Sequence, residues 1–370
     1  MSEIVADIVI VGSGLGATAA AVRLAGGGRS VVLVPGIGRT RSPHVDGGIV
    51  DEPLVERAFG DEAPLGTSVT EIRQPGDRFG SGDVVPVAGQ RIYRRATLEQ
   101  WAMRRAMAAG ATFIDDFIEG QAVPHPDGTI TLTSERDDRR ITAGIMVLCE
   151  GADPRIPLKV RLRPDYGPEN QIHFARTIFH GTVGGRLVCE RWRTGWGMPV
   201  EVCMVPQDDG AIVAVSARIE NVMRGSRSAK DALEAFLASP EWASLKIAGE
   251  RGDTGVELIA LRPDHRDIRF LGDQMVMGID ASGVIDARSP DRANLTIRGG
   301  IQLADVVLSG ELASWQVVAQ GFVRENIPSP QPYRDDRVTG FLEDGTVGKT
   351  PAIARRLAGI VRRVREGSAR

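Results

Sequence analysis

The feature that most constrains this chain lies at its start. An apolar run over residues 7–11 ends in Gly12-Ser13-Gly14-Leu15-Gly16-Ala17. A helix is expected over 17–24, stopped by Gly26-Gly27-Gly28, and a second strand over 30–34. A glycine pattern of this kind means little in a glycine-rich chain, where a plain turn is the alternative. Inside a strand–turn–helix–strand unit of about thirty residues it points to a nucleotide. Gly12 permits the tight turn and Gly14 lets the backbone approach a pyrophosphate. Ala17 lets the helix pack closely on the strand, with its N-terminal dipole facing the negative charge. One element of the pattern is missing. At the end of the second strand, where an acidic side chain normally accepts hydrogen bonds from the adenosine ribose, the sequence has Val34-Pro35-Gly36.

Composition narrows the partners. The 370 residues carry 45 Lys plus Arg against 48 Asp plus Glu, a net charge of −3, which argues against a nucleic-acid binder with a strongly basic surface. No apolar stretch reaches eighteen residues and no basic, apolar leader pattern opens the chain, so neither membrane spanning nor secretion is expected. Cys149, Cys189 and Cys203 are too few and too widely spaced for a disulfide framework, a zinc site or a complete iron–sulfur ligand set. The five histidines show no HxxxH or HExxH spacing, so no metal is expected. A reducing cytoplasm is the simplest compartment.

Further along, residues 35–89 are rich in Gly, Pro and charge and read as excursion loops and short strands. A helix is expected over 98–109, and strands over 111–114, 129–133 and 141–149. Strand-like segments at 181–190, 200–205 and 211–219 suggest an antiparallel sheet. A helix over 230–237 is capped by Ser228. A late strand over 274–279 leads to Asp280-Ala281-Ser282-Gly283, then a helix opening at Arg298-Gly299-Gly300 and running to 318. A basic amphipathic helix is expected from 351.

The order of these motifs resembles the FAD-dependent dehydrogenases that include the FixC proteins, the electron-transfer-flavoprotein:quinone oxidoreductases and the geranylgeranyl reductases. The matching pieces are Gly12 to Ala17, Gly47-Gly48-Ile49 with Glu62-Ala63-Pro64-Leu65, Arg95 before its helix, and Val147-Leu148-Cys149-Glu150-Gly151-Ala152. Ile279-Asp280-Ala281-Ser282-Gly283, Gly299-Gly300 and the stretch over 304–310 follow in the same order. The resemblance implies an α/β fold: a Rossmann-like FAD-binding domain of glutathione-reductase type with an inserted sheet-containing substrate domain. The FAD-binding part is expected from 1–45, 88–160 and 265–325, the substrate domain from 46–87 and 161–264, and a helical segment from 326–370.

By the same resemblance, Gly12, Gly14, Ala17 and Gly151 belong to the FAD site. Asp280 contacts the ribityl–pyrophosphate portion, and Gly283 allows close approach. The helix N-terminus at Gly299-Gly300 faces the flavin pyrimidine edge. Arg95 lies near phosphate or ribose, a solvated surface arginine being the alternative. Two family features are altered, the ribose acid to Pro35 and the usual Gly-Asp pair to Ile279-Asp280. The implied activity is FAD-dependent transfer of hydride or electrons to or from a small organic substrate, an apolar one being one option. The alternatives are a degenerate scaffold subunit and a dehydrogenase passing electrons to a ferredoxin or an electron-transfer flavoprotein. No catalytic acid–base pair is assigned. His173 and His180 are candidates to meet substrate, with partly buried structural roles as the alternative, and Trp192, Trp196 and Met198 are candidates to roof the pocket. Cys149 is read as a small core residue.

Overall fold

The computed structural model describes residues 3–36, 49–73, 83–151, 155–164, 171–183, 190–195, 199–207, 210–225, 227–244, 247–260, 267–285 and 291–327. The opening apolar run forms strand β1 (Glu3–Val11), in which Ile8 to Val11 are fully buried, as befits a strand covered on both faces. Helix α1 (Leu15–Gly26) begins two residues before the expected Ala17, and strand β2 (Val31–Val34) pairs parallel to β1.

The excursion that follows contains strand β3 (Ile49–Asp51), helix α2 (Glu52–Phe59) and strands β4 (Thr67–Arg73) and β5 (Val84–Ile92), with the strands in the antiparallel order β3-β5-β4. Helix α2 was not expected. It buries Leu54, Val55, Ala58 and Phe59 on one face, a helical spacing hidden among charges. Strand β5 runs through the expected domain boundary between 87 and 88.

Helix α3 (Arg95–Ala108) and strands β6 (Thr112–Phe113), β7 (Glu119–Pro124), β8 (Ile130–Ser134) and β9 (Arg140–Leu148) return to the first sheet. Strand β9 pairs parallel to β1 on the side opposite β2. After the short helix α4 (Ile156–Lys159) comes a second sheet. It consists of β10 (Gln171–Val183), β11 (Glu190–Gly195), β12 (Pro199–Gln207), β13 (Gly210–Arg218) and, after helices α5 (Ile219–Gly225), α6 (Ala229–Leu237) and α7 (Pro240–Ser244), β14 (Ile247–Ala260). Its antiparallel order is β11-β12-β13-β10-β14. Ser228 and Asp231 cap α6 reciprocally, and Leu233 and Phe236 pack it onto one face of this sheet. The other face meets the β3-β5-β4 sheet through Val205 against Ile49, Val69, Ile72 and Ile92.

Strands β15 (Leu271–Gly272) and β16 (Met275–Met277) complete the first sheet, whose order is β15-β16-β9-β1-β2-β6 with the β7–β8 hairpin attached to β9. Helices α8 (Arg292–Ser309) and α9 (Trp315–Asn326) close the described chain. The expected helix start at Arg298-Gly299-Gly300 is corrected here. Helix α8 already runs from Arg292, so the glycine pair lies in its interior, and it ends at Gly310, whose φ of +77° terminates it before α9 begins. The expected helix from 351, the Gly47-Gly48 match and the residues Trp196 and Met198 lie outside the described residues, as does the side chain of Trp192.

Candidate functional site

The two sheets and α3 enclose a cleft of about 970 Å³ at the end of β1. Gly12 turns the chain there with φ +127°, and a Cβ at this position would run into the Cys149 carbonyl. Gly14 is the N-cap of α1 and offers no side-chain cap, and the first turn of α1 contains no acidic residue. A Cβ on Gly14 would meet only the Glu99 carboxylate, at 3.9 Å, so the space over the helix end is open. Helix-end amides without intrahelical acceptors, uncovered by side chains, form a cradle for an anion. Ala17 is buried and packs on the first sheet.

Three other stretches converge on this cradle. Arg95, the first residue of α3, lines the cleft at 7 % exposure and donates from Nε to Glu99 Oε1 at 2.8 Å. The solvated surface alternative does not hold. Gly151, at φ +83°, and Asp280 face each other, since a Cβ on Gly151 would sit 3.6 Å from Asp280 Oδ2. Asp280 opens a 3-10 turn after β16 and is held by the buried Arg292, whose Nη2 lies 3.2 Å from Oδ1. Sequence reasoning missed Arg292, because its pairing with Asp280 depends on the start of α8.

Two expected residues stand elsewhere. Gly283, at φ +75°, does not line the cleft, and its missing side chain admits the Arg163 guanidinium, 3.0 Å from the Cβ position. Arg163 in turn donates from Nη1 to the Ala281 carbonyl. Gly299 likewise lies off the cleft, where a Cβ would come within 2.9 Å of Ile279 Cγ1. Gly300 does line the cleft, at the point where α8 presses on α1, for a Cβ there would collide with the Gly16 carbonyl. The pair therefore serves close packing and presents no helix end to a flavin.

Next to the cradle, burial pushes the Cys149 thiol up to about 12, with the Asp280 and Glu150 carboxylates adding to the effect, so it stays protonated at neutral pH. Burial also raises the Glu150 carboxyl, to about 7, against the amides of Arg155 and Ile156 that hydrogen-bond it. Pro35 and Gly36 form the rim beside Glu150. The opposite wall is made by Ile178, His180 and Ile212 of the second sheet. His173, on the same strand as His180, is half-buried and does not line the cleft; burial lowers its pKa, with Asp231 of α6 opposing. Among the described residues no group of three or more His, Cys, Asp or Glu is placed to hold a metal ion, and no helix is long and apolar enough to cross a membrane.

No family model matches the chain. It is 23 % identical over 331 residues to Protein FixC of Azorhizobium caulinodans, covering 81 % of this chain and 75 % of that protein. It is 28 % identical over 190 residues to Protein FixC of Azotobacter vinelandii, covering 45 % of this chain and 43 % of that protein. The match thus spans less than half the length of the Azotobacter protein. Among solved structures, a geranylgeranyl bacteriochlorophyll reductase-like protein from Thermoplasma acidophilum superposes with a TM-score of 0.69 at 14 % identity, over 87 % of this chain and 83 % of the other. The flavin-dependent brominase Bmp2 gives 0.68 at 15 % identity over 97 % and 99 %. The halogenase PltM, solved with phloroglucinol and FAD, gives 0.64 at 11 % identity over 85 % and 72 %. The chain shares the mixed sheet-and-helix fold of these solved structures, and its sequence similarity to the FixC proteins is low.

Proposed function

We propose that this chain is an FAD-dependent oxidoreductase acting on a small organic substrate. The observation that carries the reading is the cleft itself. An open glycine cradle at the N-terminus of α1 is met by Arg95, Gly151 and Asp280 from three stretches far apart in sequence. These residues suit an elongated ligand with a pyrophosphate near its middle. The helix end and Arg95 offer donors to oxyanions, and Asp280, fixed by Arg292, accepts from polyol hydroxyls. FAD bound there supplies the redox chemistry, and the protein supplies binding, orientation and electrostatics.

The replacement of glycine by Ile279 is compensated locally, because its side chain packs on Gly299 of α8. That removes one of the two reasons for reading the chain as a degenerate scaffold. On the far wall Ile178 and Ile212 exclude water, and His180 is the polar group they flank. In this reading residues 1–45, 93–160 and 265–325 hold the cofactor, and 46–92 with 161–264 face the substrate, the boundary expected at 88 moving to the end of β5 because that strand pairs with β3 and β4, whose sheet packs on the five-stranded sheet.

The test is the absorbance spectrum of the purified protein, before and after incubation with FAD. A yellow protein whose flavin bands bleach with dithionite is expected. A colourless protein that takes up no FAD overturns the reading.

A further inference from the structure

We propose that Glu150 is the carboxylate that receives the adenosine ribose hydroxyls, in place of the acid absent at Pro35. This rests on the FAD reading and names one contact within it. In a dinucleotide site of this kind the acid usually stands at the end of the second strand, one strand away from β1. Here that position is Pro35, which has neither a carboxylate nor an amide hydrogen. Glu150 reaches the same place from the other side. It follows β9, the strand paired to β1 opposite β2, and the chain leaving β2 folds against it. A Cβ on Gly36 would lie 3.2 Å from Glu150 Cγ and 3.4 Å from its Cα. Pro35, Gly36, Glu150 and Gly151 line one continuous stretch of the cleft, next to the glycine cradle.

The hydrogen bonding of Glu150 is half complete. Its Oε1 accepts from the amides of Arg155, at 2.8 Å, and Ile156, at 3.2 Å, which fixes the side chain over the start of α4. Its Oε2 is buried and has no hydrogen-bond partner among the described residues. A side chain kept only to cap α4 needs one acceptor oxygen. A buried, unsatisfied second oxygen is costly, and such groups persist where a ligand completes them. The vicinal hydroxyls of a ribose are donors of suitable chemistry, and the close packing of Gly36 on the Glu150 stem holds that side chain at the end of β2.

The test compares binding of FAD, ADP and 2′,3′-dideoxy-ADP to the flavin-stripped full chain by calorimetry, for the wild type, Glu150→Gln and Glu150→Asp. E150Q keeps an acceptor for the two amides, and E150D keeps the charge but withdraws it by one methylene. The wild type should prefer ADP over the dideoxy nucleotide by about tenfold, the gain expected of hydrogen bonds to a charged group. That preference should vanish in E150Q and shrink in E150D, while the dideoxy nucleotide binds all three proteins alike. A wild type that binds FAD but shows no preference for ADP overturns the proposal and leaves the FAD reading standing. So does an equal loss for both nucleotides in the variants, the signature of a structural role. A wild type that binds no FAD overturns both.

Discussion

Glu150 also sets a pH dependence that belongs to one side chain. Burial raises its carboxyl from 4.5 to about 7, Glu119 adds to the rise, and the Arg155 and Ile156 amides and the Arg155 charge oppose it. A carboxyl raised in the folded state binds a proton more tightly there than in the unfolded chain. Its contribution to stability is therefore fully present below about pH 4.5 and is lost as pH rises through 7. Across that window the contribution changes by about 2 to 3 kcal/mol. Glu150→Gln removes the titration. Urea unfolding of flavin-free protein should show the wild type gaining about 2 to 3 kcal/mol relative to E150Q between pH 8 and pH 5. A difference independent of pH would mean that the carboxyl is solvated, and the buried second oxygen would lose its meaning.

At the scale of elements, the contact that places the cradle is α1 against α8. Gly16 and Gly300 meet there backbone to backbone, and Gly16 also lies against Thr296, whose Cγ2 is 2.8 Å from the Cβ position. Gly299, one residue away, faces the side chain of Ile279 instead. Gly300→Ala must push a helix backbone away, and urea unfolding should show a loss of about 2 to 3 kcal/mol together with weaker FAD binding. Gly299→Ala must displace the buried Ile279 side chain at its Cγ1 and Cβ, a cost that the gain in helix propensity offsets in part, so it should lose less stability than Gly300→Ala. Equal costs at the two positions would show that the close approach of the helices is not what the glycines serve. This contact also marks the limit of what the sequence reveals. The first strand–helix–strand unit and the Ser228 cap of α6 are legible, because turn, period and cap are local signals. The pair Gly299-Gly300 reads as a helix start because glycines usually punctuate. The reason for Gly300 lies in Gly16, about 280 positions away, and that for Gly299 in the side chain of Ile279, and no local pattern contains either. Strand β14, for which the sequence pattern carries no expectation, depends on a contact of the same kind, since a Cβ on Gly249 would collide with the His180 carbonyl of β10.

For the whole molecule, the cleft is a meeting of chain segments that share few local neighbours. The cradle comes from residues 12–17, Arg95 from the start of α3, Glu150 and Gly151 from the end of β9, and Asp280 from the turn after β16. All but Arg95 sit at the ends of three adjacent strands of one sheet, in the order β16-β9-β1. A ligand that touches all of them ties the first and last parts of the described chain together, so its binding should stabilise the molecule as a unit. By mass action, FAD at one hundred times its Kd should add about 2.7 kcal/mol to the free energy of unfolding. FMN provides the ring system and one phosphate but has no adenosine half. It would reach Asp280 yet leave the rim at Pro35, Gly36 and Glu150 empty. At the same concentration FMN should therefore add less than about 1 kcal/mol, and thermal unfolding of flavin-stripped protein with either flavin checks the difference. Equal stabilisation by the two would place recognition on the flavin ring and its near phosphate alone, and would remove the adenosine from the end of β2.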